Sequence, residues 1–286
     1  MNRSRKQPAA VSGLALGVLG AAAMLGAPDL RADDAPDLLT DPFSVSLGTF
    51  IVQTEPTVQL DGDTTAGDKI DFDSEIGGAD VNRFRLDAAW RFGETDRHKL
   101  RGFLFNVSRS RKKTINEDIV WGDDTYPVNA KVEFKMDFSV AELAYEYEFL
   151  KRDNYEVGAS AGLHYTTFGA ELRAKASESG GSLSTDIKNE GSVDLPLPVF
   201  GLQGTWRLPA NLYANLSAQW FALSIDEYDG SLQDYRATLT WQPKSWLGIG
   251  IGYDQFSIDV DVQKDRFEGS LDWTYSGPMI FYNASF

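Results

Sequence analysis

Apolar and polar residues alternate along most of this chain. In Val81–Phe92, Phe84, Leu86, Ala88, Trp90 and Phe92 share one face; Arg83, Arg85, Asp87, Ala89 and Arg91 share the other. A strand points successive side chains to opposite sides, so such a segment has one greasy and one charged face. Residues 211–223 set Leu212, Ala214, Leu216, Ala218, Trp220 and Ala222 against Tyr213, Asn215, Ser217, Gln219 and Phe221. Tyr235, Ala237, Leu239 and Trp241 alternate with Arg236, Thr238, Thr240 and Gln242; Leu247, Ile249, Ile251 and Tyr253 alternate with Gly248, Gly250, Gly252 and Asp254. Val157, Ala159, Ala161, Leu163 and Tyr165 do so with Gly158, Ser160, Gly162, His164 and Thr166. The pattern predicts ten strands, at about 43–54, 81–92, 98–111, 131–149, 155–175, 193–208, 211–225, 231–242, 246–258 and 267–286.

Two of these change phase. Val132, Phe134, Met136 and Phe138 are out of step with Leu143, Tyr145, Tyr147 and Phe149, which predicts a β-bulge near residues 139–141. Leu271, Trp273 and Tyr275 are out of step with Ile280, Tyr282, Ala284 and Phe286, and Pro278, which has no N–H, predicts a break in the ladder between them.

Short connections (93–97, 151–154, 209–210 and 243–245) alternate with long polar ones (54–80, 112–130, 177–192, 226–233 and 259–266). Short turns at one end and long loops at the other are the asymmetry of a transmembrane barrel. The expected fold is therefore all-β: a single antiparallel transmembrane barrel of ten strands, with periplasmic turns and extracellular loops. Eight strands is the alternative, if two segments are rim extensions. A soluble sandwich would have strands nearer five or six residues. It would also not place Trp90, Phe92, Tyr147, Phe149, Trp206, Trp241 and Trp246 so regularly beside short turns, as an interfacial aromatic belt does.

The N-terminus adds an address. Arg3, Arg5 and Lys6 precede an uncharged run rich in Ala, Leu and Gly, and Ala32 precedes two Asp residues, the layout of a cleaved secretory signal peptide at residues 1–32. Residues 33–42 then form a short periplasmic segment and 43–286 the barrel. The whole chain carries −15; removing residues 1–32 leaves 23 basic and 41 acidic residues, net −18. So acidic a chain lacks the basic surface that nucleic acid demands. Without Cys it has no thiolate ligand, thiol nucleophile or disulfide.

The chain ends Met279-Ile280-Phe281-Tyr282-Asn283-Ala284-Ser285-Phe286. With Ile280, Tyr282 and Phe286 in register, this tail resembles the assembly signal of Gram-negative outer-membrane β-barrel proteins, departing from it at Ala284, where many members have an aromatic residue. The resemblance implies an outer-membrane location, with outer-membrane lipid and lipopolysaccharide, the barrel-assembly machinery and periplasmic chaperones as partners. It does not choose a function, since that superfamily includes proteases, adhesins, anchors, lipid-modifying enzymes and solute channels.

Candidate chemistry is sparse. An omptin-like protease needs His at the outer rim, but His98 follows a periplasmic turn and His164 lies mid-strand on the lumen side. His164-Tyr165-Thr166 resembles the His-x-Ser pair of lipid A deacylases, with Thr where those have Ser. No catalytic residue, metal ligand or cofactor is assigned. Asp71-x-Asp73-x-Glu75 in the acidic first loop has Ile76 where a Ca²⁺ loop needs Gly, so the loop reads as solvated. Arg109, Arg111, Lys112 and Lys113 read either as a basic outer rim able to meet lipopolysaccharide phosphate or as a merely solvated one. The informative set is the expected lumen charges: Arg83, Arg85, Asp87, Arg91, Glu142, Glu146, Glu148, His164, Arg207, Arg236 and Asp254. These either interlock as a plug or line a narrow, weakly cation-favouring pore. Ten strands enclose little space, which favours the plug and a non-enzymatic, structural or surface-binding barrel; an outer-leaflet lipid or peptide hydrolase is the third reading.

Overall fold

The structure, a computed structural model, describes residues 37–50, 53–61, 66–71, 81–174, 186–225, 228–264 and 267–286. The expected signal peptide and residues 33–36 lie outside them. The strands are β1 (Phe43–Phe50), β2 (Gln53–Leu60), β3 (Ile70–Asp71), β4 (Val81–Phe92), β5 (His98–Thr114), β6 (Ile119–Trp121), β7 (Asp124–Tyr126), β8 (Lys131–Arg152), β9 (Tyr155–Ala174), β10 (Ile187–Leu208), β11 (Leu212–Ile225), β12 (Tyr228–Lys244), β13 (Leu247–Lys264) and β14 (Phe267–Ser285). Neighbours pair antiparallel from β4 through β14, omitting the small β6–β7 hairpin, and β1 closes the ring against both β4 and β14. β2 carries the first barrel strand on along β14, and β3 folds back on β2. The result is a closed ten-stranded antiparallel barrel with one extra strand.

Neither predicted ladder break appears among the described pairings; residues 51 and 52, which would face Gly277–Pro278 on the other edge of β14, lie outside the described residues. β5 and β8 pair without interruption from Thr114 opposite Lys131 to His98 opposite Tyr147. β13 and β14 pair without interruption through Tyr253 opposite Pro278. Register shifts occur instead at the turn end, between Tyr147 and Leu150 and between Trp241 and Lys244. The phase change in the sequence is an exchange of chemistry between two fixed faces. Along β8 every even-numbered residue from Val132 to Glu148 is buried in the lumen. Toward the loop end these are Val132, Phe134, Met136, Phe138 and Val140; toward the turn end they become Glu142, Ala144, Glu146 and Glu148. The outward positions exchange in the opposite sense, from Lys131, Glu133, Lys135 and Asp137 to Leu143, Tyr145, Tyr147 and Phe149.

The other strands exchange at the same level. Inward His164 and Thr166 of β9 give way to Phe168 and Leu172, Asp254 of β13 to Phe256 and Ile258, and Arg101 of β5 to Phe103 and Phe105. The loop-end half is thus built like a soluble barrel, with a packed aromatic core: Phe138 lies 3.9 Å from Trp273 and Phe256 5.0 Å from Tyr275 between ring centroids. The turn-end half wears an apolar exterior, including Leu163, Phe200, Leu216, Trp241, Ile251 and Tyr282. On β9 this band runs from Tyr155 to Tyr165, roughly 25 Å along the normal at about 3.3 Å per residue and the tilt of about 40° usual in such barrels. That is the height of one hydrocarbon layer.

The loop-end connections are shorter than expected. Pairing continues to Ile225 opposite Tyr228 and to Lys264 opposite Phe267, so the expected loops at 226–233 and 259–266 are mostly strand; β10 likewise begins at Ile187. One glycine is set by close approach: a Cβ on Gly250 would meet the Phe281 ring at 2.0 Å, so the bare backbone makes the slot that this ring fills.

Truncating an inward aromatic removes core contacts and leaves a cavity, whereas its outward neighbour faces water. Phe138→Ala should therefore destabilise by about 3–5 kcal/mol and Asp137→Ala by about 0.5 kcal/mol or less, read as urea midpoints of the folded, heat-modifiable band. Equal midpoints would contradict the assignment of faces.

Candidate functional site: the filled lumen

Register brings the lumen charges together. Lys99 lies directly opposite Glu146, Glu142 opposite His164, and Arg236 opposite Asp254, each pair pointing inward across one ladder step. Near the turn end the Lys99 ammonium sits 3.5 Å from Glu146 and 2.5 Å from Glu148, and also contacts Glu156. Arg91 holds Glu156 at 3.0 Å, and Arg101 donates to Glu146 at 2.8 Å and to Gln203. A second cluster lies across the lumen. Arg85 Nε donates to both Asp87 oxygens at 3.0 Å, while Arg236 joins Asp87 at 3.0 Å and Asp254 at 3.1 Å. The Arg85 guanidinium stacks 4.0 Å over the Phe103 ring, where the charged layer meets the aromatic one. His164 Nε2 binds Glu142, whose other oxygen accepts from Gln219 at 3.0 Å.

The arrangement thus gathers Arg85, Asp87, Arg91, Glu142, Glu146, Glu148, His164, Arg236 and Asp254 into the turn-end half of the lumen. Arg207 is elsewhere, at the turn-end rim, bound to Asp37; the Arg83 side chain lies outside the described residues. Lys99, Arg101, Glu156 and Asp234 are lumen charges that the sequence reading omitted. All four share the parity of the inward residues on their strands, which is the signal that identifies them.

Both ends are covered. At the loop end the β6–β7 hairpin turns at Gly122, whose φ of 62° suits glycine, and lays Ile119, Trp121 and Tyr126 onto the core. The Tyr126 hydroxyl donates to the Leu172 carbonyl at 2.8 Å and accepts from the Asn189 N–H at 3.1 Å; burial pushes this phenol well above its ordinary pKa. Asn189 Nδ2 holds the Trp121 carbonyl at 2.8 Å. The first loop docks on the same hairpin, with Gly122 N–H to the Leu60 carbonyl at 3.0 Å and Val120 N–H to Asp68 at 2.7 Å. Asp61 and Asp68 thus hold backbone, with Asp61 accepting from Gly67 N–H at 2.8 Å. The Asp73–Glu75 stretch lies outside the described residues.

At the turn end, Asp37 to Asp41 forms a tight turn beneath the lumen, with Leu39 2 % exposed. Arg91 donates to the Leu38 carbonyl at 3.5 Å. Burial raises the Asp41 carboxyl above its ordinary pKa, against a hydrogen bond with Ser285 that lowers it.

The rim chemistry is redistributed. Arg109 is buried in the lumen, leaving Arg111 and Lys112 as the exposed part of the expected basic rim. His98 belongs to the outer aromatic belt, its Nδ1 2.7 Å from the Tyr145 hydroxyl. His164 is 0 % exposed and edge-on to Phe103, so no bulky substrate reaches it. At the C-terminus Ile280 and Tyr282 point outward, and Phe286 exchanges backbone hydrogen bonds of 2.9 and 3.0 Å with Phe43, closing the barrel.

Removing the cation at the centre of a buried acidic group leaves uncompensated charge. Lys99→Met should cost about 3–5 kcal/mol of barrel stability, and adding Glu148→Gln should recover part of it. A urea midpoint for Lys99→Met equal to that of exposed Lys112→Met would contradict the network.

No family model matches the chain, and no curated protein matches it. Among solved structures the chain is similar to the outer membrane protease OmpT of Escherichia coli, at 10% identity over 90% of this chain and 100% of that one, TM-score 0.47. It is similar to the transport unit of the autotransporter AIDA-I of Escherichia coli, at 12% identity over 96% and 98%, TM-score 0.40. It is also similar to the toluene transporter TodX of Pseudomonas putida, at 9% identity over 93% of each chain, TM-score 0.31. At these identities and scores the likeness concerns barrel architecture alone.

Proposed function

We propose that this chain is a closed, non-conducting outer-membrane barrel that serves a structural or surface-binding role. In this reading its turn end faces the periplasm and its loop end the outside. The observation that carries it is the double filling of the lumen. An ion-paired layer at the level of the apolar band lies beneath a solid aromatic core, and the β6–β7 hairpin covers that core. The loop-end half carries a polar exterior well beyond the apolar band, so it holds a rigid, folded surface away from the bilayer. Export by a cleaved signal peptide, delivery by periplasmic chaperones, assembly through the Phe286 tail and contact with outer-leaflet lipopolysaccharide complete this reading.

A narrow, weakly cation-favouring pore is the second reading, in which lumen carboxyl groups such as Glu142, Glu146 and Asp254 would attract cations. It would need Phe103, Met279, Phe281 and the core above them to part. The deciding experiment is planar-bilayer recording of the refolded mature barrel, with Glu142→Gln as control. The expected result is no steady conductance in either protein; conductance that Glu142→Gln alters would overturn the closed barrel.

A further inference from the structure

Within the ion-paired layer, above the Asp37–Asp41 turn, the lumen holds a cavity of about 170 Å³. We propose that it is a pocket, entered from the turn end, for one neutral, hydroxyl-bearing solute of monosaccharide size, and that Asp37–Asp41 is its removable cover. The proposal rests on the closed-barrel reading only for the compartment from which the solute comes.

The lining selects the chemistry. Charged groups on the lining include Asp87, Arg101 and Arg236, whose side chains are 25 %, 23 % and 11 % exposed. Each is already joined to an opposite charge. A net-charged solute would find these three charges already matched, and burying it would cost several kcal/mol or more; the Asp41 carboxyl, which also lines the cavity, is pushed by burial above its ordinary pKa. Neutral polar groups are interleaved with these charges: Ser46 lies opposite Asp87 across the ladder, Thr238 follows Arg236 on β12, and Thr205 and Asn215 line the cavity from β10 and β11, offering hydroxyl and amide groups. Such a wall excludes a hydrocarbon. Overhead, Phe103, Met279 and Phe281 supply an apolar ceiling and end the pocket blind. A hydroxyl and amide wall beside aromatic rings fits a pyranose, which has a rim of hydroxyls and faces of C–H. The space is that of about five or six waters at roughly 30 Å³ each.

The cover is held by side-chain contacts and not by a strand ladder. Leu38, Asp41 and Pro42 line the cavity from below, and Leu39 is buried beside them. Side-chain attachments to the barrel wall include the Asp37–Arg207 ion pair and the 3.5 Å bond from Arg91 to the Leu38 carbonyl. The Asp41–Ser285 hydrogen bond and a contact of Tyr213 with the Leu38 backbone add to these, the Arg91 N–H fixes the Pro42 carbonyl at 2.7 Å, and the turn is closed on itself through the Thr40 and Asp41 N–H groups to the Asp37 carbonyl. Once those side-chain contacts break, residues 37–41 can swing about Pro42 without opening the barrel ladder.

The chain has no Cys, so a single introduced thiol reports access cleanly. The test uses the folded mature barrel carrying Thr238→Cys, with Ser46→Cys as a second reporter, each confirmed folded by heat-modifiable migration. A small polar methanethiosulfonate should label slowly, and several-fold faster when Asp37→Ala and Leu39→Ser are added. D-glucose should then slow labelling saturably, while sodium acetate and tetramethylammonium chloride should not. Equal rates with and without the cover substitutions would overturn the cover. Protection by either ion would overturn the neutral assignment, and protection by none of the three would mean a cavity for water only and overturn the pocket. Steady conductance in the bilayer experiment overturns the closed barrel alone, because glucose protection is read independently of it.

Discussion

A hydrogen-bonded ladder without a bulge cannot change which residues face inward, and that constraint governs this barrel. The strands cross two environments with opposite demands. In hydrocarbon the exterior must be apolar; beyond it the exterior must be polar and the interior must be filled. Because parity along β5, β8 and β9 stays fixed between these levels, the chain meets both demands by exchanging the residue types on the two faces at one height. Val140 and Glu142 on β8, and Phe168 and His164 on β9, mark that height.

The consequences for the lumen follow. In the band where the exterior is apolar, the interior carries Arg, Lys, Glu and Asp, and cross-strand register places Lys99 against Glu146 and Arg236 against Asp254. Such groups are tolerable only when paired, because an unpartnered buried charge costs several kcal/mol. Above that band the aromatic core around Phe138, Trp273 and Tyr275 closes the lumen by packing. The two layers use different forces and meet where Arg85 lies over Phe103.

Much of this was legible in the sequence. The strands, their order of short and long connections and the inward parity of Glu142, His164 and Asp254 all follow from a period of two. The same period contained the exchange of faces, but Val132–Phe138 against Leu143–Phe149 reads equally as a bulge, since sequence alone does not say whether the ladder or the environment changes. Lys99, Arg101, Glu156 and Asp234 were readable by parity as well. The β6–β7 lid was not, because three-residue strands carry little periodicity and Trp121 and Tyr126 are buried by tertiary contact alone. The turn at Asp37–Asp41 was invisible for a similar reason: a lone buried Leu39 leaves no pattern.

The most direct test of the exchange is a spin-label scan of positions 131–149 on β8, with the barrel reconstituted in liposomes and accessibility to oxygen and to a polar nickel chelate recorded at each site. The account predicts that even positions are protected throughout. Odd positions 131–139 should be accessible to the chelate, and odd positions 143–149 to oxygen. If the protected set moved from even to odd positions near 139–141, the ladder would contain a bulge and the fixed-face account would be wrong.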